Sequence, residues 1–69
     1  MTVEALLEQL KKERMDAVTQ IPVCRMKAWR ALLYGDHEVA KLLQQMIDDY
    51  KIKFERLNIV IDEIEKRVS

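Results

Sequence analysis

The sequence predicts an all-α protein. It reads as a kinked antiparallel helical hairpin, with one short helix, a second short helix and one long helix, that pairs with a copy of itself as a dimeric four-helix bundle or coiled coil. Three observations lead there. From Ala40 to Val68 apolar residues fall at positions 40, 43, 47, 50, 54, 57, 61, 64 and 68. Alternating steps of three and four line side chains into one seam of a long helix. The single proline, Pro22, and the single glycine, Gly35, divide the residues before that seam. Finally, the chain has only 69 residues, too few for one thin apolar layer to offset the entropy of ordering them. Small domains make up the difference with disulfides, a metal or oligomerisation. One cysteine, Cys24, excludes an internal disulfide, and one histidine, His37, is too few for an ordinary zinc site. Oligomerisation remains, and the whole chain, 1–69, is read as a single helical domain.

Taken in order, Thr2 caps a first helix over about 2–20, whose first turn carries Glu4, an acid suited to the helix dipole. Its apolar face is Val3, Leu6, Leu7, Leu10, Ala17 and Val18, with Arg14 in the middle, either snorkelling out or meeting an acid across the interface. Pro22 has no amide hydrogen and disfavours helical geometry at Ile21, so the first helix is expected to end there, with Pro22 in the first turn of the next. That second helix, about 22–34, is expected to turn Met26, Trp29, Leu32 and Leu33 inward, with Trp29 facing Ala40. Gly35 supplies a left-handed cap and Asp36 caps the long helix, about 36–67. A strand reading of Tyr50, Ile52 and Phe54 followed by Leu57, Ile59 and Ile61 fails at its turn, because Glu55-Arg56 lacks the glycine or asparagine a tight hairpin needs.

The formal net charge is zero, so overall balance steers the chain toward neither nucleic acid nor an acidic membrane. Its distribution is uneven. Residues 17 to 34 hold Arg25, Lys27 and Arg30 with no acid, whereas residues 35 to 69 carry eight acids against six bases. No leader pattern opens the chain, no run is long enough to cross a bilayer, and a lone cysteine suits a reducing compartment, so a cytoplasmic protein is expected.

Chemistry-bearing patterns are sparse. Arg25, Lys27 and Arg30 around Trp29 are a weak nucleic-acid footprint. Asp48, Asp49 and Glu55 read as an exposed acidic face rather than a metal site, since consecutive helical residues diverge by about 100°. Cys24 beside Arg25, with His37 as a base, is a remote nucleophile pair. Hydroxyls occur only at Thr2, Thr19 and Ser69, and no glycine-rich phosphate loop exists. No catalytic residue, cofactor or metal is therefore expected. The tract Gln44-Gln45-Met46-Ile47-Asp48 resembles the Ser-Gln-x-Leu-Asp stretch of small two-helix aspartyl-phosphate phosphatases that act on sporulation regulators. Gln44 stands where that family has serine and the segment holding Pro22 and Trp29 is longer than the family's, so the family is not assigned.

The expectation is a small interaction or regulatory module that binds a partner protein sterically. Leu43, Ile47, Phe54, Leu57, Ile61 and Ile64 are its expected self-association seam, and Ile52 with Ile59, seven apart on the opposite face, its expected partner surface. The alternative is a dimeric nucleic-acid-binding regulator using Arg25, Lys27 and Arg30. Compactness without a catalytic kit also suits a phage or mobile-element accessory protein.

Overall fold

The computed structural model describes residues 2–68, which form two antiparallel helices, α1 (Val3–Leu33) and α2 (His37–Val68), and no strand. At 1.5 Å per residue, helices of 31 and 32 residues span about 47 and 48 Å, which accounts for a rod measuring 51 × 15 × 15 Å.

Each helix boundary follows from local chemistry. Thr2 is extended, and its hydroxyl oxygen accepts from the Ala5 amide at 3.1 Å, satisfying one of the donors that a helix start leaves open. At the other end Gly35 has φ of +77°. The Gly35 amide donates to the Leu32 carbonyl at 3.0 Å and the Asp36 amide to the Ala31 carbonyl at 2.8 Å, a Schellman cap. Asp36 then starts α2, its Oδ1 accepting from the Val39 amide at 3.3 Å. The reversal is completed within three residues.

The largest departure from the sequence reading is at Pro22. α1 runs through it without a break, so the predicted pair of short helices is one helix. Proline removes the hydrogen bond to the Val18 carbonyl and costs an internal helix roughly 3 kcal/mol. Here Pro22 is exposed, on the side of α1 turned away from α2, where water can reach the freed carbonyl. Both flanks of the proline lie along α2, and that shared packing holds the two halves in one helix.

Continuity through Pro22 fixes the phase of everything after it. Counting from Val3 in steps of four and three, the inner face of α1 is Leu7, Leu10, Arg14, Ala17, Ile21, Cys24, Ala28 and Ala31, each of them buried or half-buried. The expected inward set is therefore wrong: Met26, Trp29, Leu32 and Leu33 all point outward, and Trp29 is 70% exposed rather than packed on Ala40. Leu6 and Val18 are likewise exposed. On α2 the seam read from the sequence is the inner face as far as Ile64, with Ala40, Ile47 and Ile61 buried and Leu43, Tyr50, Phe54, Leu57 and Ile64 half-buried, while its last member, Val68, is exposed.

Arg14 occupies a seam position and meets neither water alone nor an acid. Its guanidinium donates to the Asn58 side-chain oxygen at 2.9 Å. One turn away Lys11 pairs with Glu65 at 3.3 Å, half-exposed on both sides, an ion pair of the kind that contributes at most about 1 kcal/mol. Both contacts bridge the two helices in the half of the rod away from the turn.

Two consequences are measurable. Ile61 is 0% exposed, so Ile61→Asp buries an unpaired charge and is expected to abolish the cooperative thermal transition followed by circular dichroism. Pro22→Ala restores a missing hydrogen bond at a compatible site and is expected to raise the melting temperature, by about 4 to 8 °C per kcal/mol recovered.

Candidate interaction surface

A rod two helices across cannot enclose much. The chain exposes 5649 Å², whereas a compact monomer of 8.2 kDa exposes about 4,500 Å². The excess of about 1,100 Å² per chain exceeds the roughly 800 Å² that each partner contributes to a stable protein interface.

Part of the exposed surface is an apolar ridge on α1. In the half of α1 nearer the turn the inner face is, apart from Ile21, made of small side chains, Ala17, Cys24, Ala28 and Ala31, while Met26, Trp29, Leu32 and Leu33 face out. Met15, Met26, Trp29 and Leu33 are each about two-thirds exposed or more. An ordinary surface helix shows the reverse, with bulk inside and polar groups outside. Small inner residues let the two backbones approach closely, and α2 then has little reach around to the outer side of α1.

The cations sit around this outer ridge. Arg25, Met26, Trp29, Arg30 and Leu33 line one shallow depression, and Val23, Met26, Lys27 and Arg30 line its neighbour. Arg25 and Lys27 thus stand on opposite sides of Met26, with Arg30 shared, so the three charges frame an apolar strip instead of forming one patch. Residues 17 to 35 contain no acid to neutralise them.

α2 presents a different outer face. Ile52 and Ile59 are 47% and 64% exposed, and Asp48, Glu55 and Asp62 fall beside them at steps of three and four. Ile52 also joins Leu10, Asp49, Lys53, Arg56, Leu57 and Val60 around a second shallow depression. The expected self-association residues lie elsewhere. Leu43, Ile47, Phe54, Leu57, Ile61 and Ile64 line the contact between α2 and its own α1, and Ile47 and Ile61, 1% and 0% exposed, are fully covered within one chain.

The remaining candidates are not brought together. Cys24 is a buried free thiol in the seam, while His37 is exposed at the start of α2, about ten residues or 15 Å further along the rod. Asp48, Asp49 and Glu55 are exposed, and no group of three potential ligands suited to a metal ion occurs among the described residues. In the Gln44–Asp48 tract the Gln44 amide donates to Asp48 at 3.3 Å, one turn apart on the surface. Ser69 lies outside the described residues. No described helix is long and apolar enough to cross a membrane.

The sequence reading missed the outer row Met15, Thr19, Pro22, Met26, Trp29 and Leu33. Its steps of four, three, four, three and four are as regular as the seam. Treating Pro22 as a break had split that row in two.

Because Ile52 is half-exposed, Ile52→Lys is expected to leave helicity and melting temperature within experimental scatter, about 0.5 kcal/mol, in a paired thermal melt. Comparison with models of known protein families, with curated proteins and with solved structures finds no match to this chain.

Proposed function

We propose that the chain is a small homo-oligomeric helical module that binds a partner protein and regulates it sterically. Two hairpins pair into a four-helix assembly, and the rigid rod so formed offers its remaining faces to the partner. The observation that supports this reading most is the surplus surface, about 1,100 Å² per chain above that of a compact monomer, together with the exposed Met15, Met26, Trp29 and Leu33 on the outer side of α1. Exposed apolar patches rimmed by polar residues mark interaction sites. In this reading Leu43, Ile47, Phe54, Leu57, Ile61 and Ile64 keep the rod stiff, and Ile52 with Ile59 contact the partner.

A second reading has its own support. Arg25, Lys27 and Arg30 frame an exposed Trp29, an arrangement that suits a phosphate backbone with a ring for base stacking. Pairing doubles three cations to six, sufficient for salt-sensitive affinity.

Sedimentation equilibrium across micromolar to millimolar concentration is expected to give twice the 8.2 kDa chain mass; a monomer throughout defeats the first reading. A gel-retardation series with single- and double-stranded oligonucleotides at low salt tests the second, which falls if nothing is retarded.

A further inference from the structure

Building on the homodimer proposed above, we propose that the two copies meet through the outer face of α1, packed antiparallel against α1 of the second copy. The row Met15, Thr19, Pro22, Met26, Trp29 and Leu33 repeats at the heptad spacing that two helices need in order to interlock. Its midpoint is residue 24. An antiparallel pair centred there sets Met15 against Leu33 of the second copy, Thr19 against Trp29 and Pro22 against Met26, and the two-fold axis repeats each layer.

The layers are compatible in size and polarity. The largest side chain, Trp29, meets one of the smallest in the row, and large against small is how layers interdigitate. Thr19 brings no unsatisfied group into the contact, because its hydroxyl already donates to the Met15 carbonyl at 2.8 Å.

Charge selects the direction. Residues 4 to 16 hold four acids, the last of them Asp16, and three bases, Lys11, Lys12 and Arg14, while residues 17 to 35 hold no acid and three bases. Centred on residue 24, antiparallel packing brings Asp16 beside Arg30 of the second copy on one rim, twice by symmetry. A parallel pair would instead set Arg25 of each copy beside Arg30 of the other, like charge against like. In the antiparallel pair only Arg25 approaches its counterpart near the axis, where a long side chain can extend along the rim into water.

The alternative surface on a second copy is the outer side of α2, and it fits less well. Ile52 and Ile59 are its two apolar residues between Asp48 and Asp62 in the outward rows, with Asp48, Glu55 and Asp62 interleaved, so most of the α1 row would cover carboxylates. Contact between unlike edges is also head-to-tail and does not close at two chains, whereas α1 against α1 is self-complementary and does.

Trp29 is the chain's one tryptophan, so its fluorescence reports this face directly. Emission and sedimentation mass, followed together over concentration, are expected to show a blue shift that tracks dimer formation. Met26→Glu, on a residue 67% exposed in the single chain, is expected to retain full helicity by circular dichroism, remain monomeric and keep solvent-exposed emission. Asp16→Arg and Arg30→Asp are each expected to weaken the dimer about tenfold, and the double variant to recover wild-type affinity, which an unrelated interface would not do. A dimer that survives Met26→Glu, or whose Trp29 emission stays solvent-exposed, overturns this face while leaving the homodimer standing. A monomer at every concentration overturns both. A monomer whose emission shifts only with phosphatidylglycerol vesicles or an acidic amphipathic peptide overturns both and reassigns the face to that ligand.

Discussion

Two helices side by side touch along one strip, and that strip is the constraint every other feature answers to. It buries Ala17, Cys24, Ala40, Ile47 and Ile61, a modest core for a chain of this length. The strip also has unequal sides. α2 contributes isoleucines, leucines, a tyrosine and a phenylalanine, while the turn-proximal half of α1 contributes one isoleucine, Ile21, and otherwise alanines and a cysteine. The asymmetry is what sends the bulk of α1 to its outer side, because a helix with one face reserved for small residues must place its large ones elsewhere.

Pro22 matters because it does not interrupt this arrangement. An internal proline is tolerated when its ring and the carbonyl it leaves unpaired point away from the packing partner, and Pro22 lies on that side. The phase set at Val3 therefore reaches Ala31 unchanged. Had the helix broken, the second segment would have been free to rotate, and Trp29 could have turned toward α2.

Much of the fold was legible in the residues themselves. The α2 seam, the Thr2 and Asp36 caps and the reversal at Gly35 all depend on interactions within a few positions of one another, which local pattern records faithfully. The inner face of α1 was not legible for two reasons. Its residues after Arg14 are mostly small, so they carry little hydrophobic signal, and the larger Met26, Trp29 and Leu33 produced a stronger signal from the wrong side. Pro22 is locally a breaker, and only the tertiary contact with α2 overrides it. The candidate surface was obscured by the same error, since its row crosses Pro22. The cations Arg25, Lys27 and Arg30 were visible as a group, but their division around the ridge depends on helical phase.

Cys24 gives this geometry one more consequence. The residue is 3% exposed on the face of α1 turned to α2, and it is the chain's sole thiol. An alkylating reagent reaches it only when the helices part, so the speed of its modification clocks how often the rod breathes open. Nature has in effect placed a chemical stopwatch inside the hairpin.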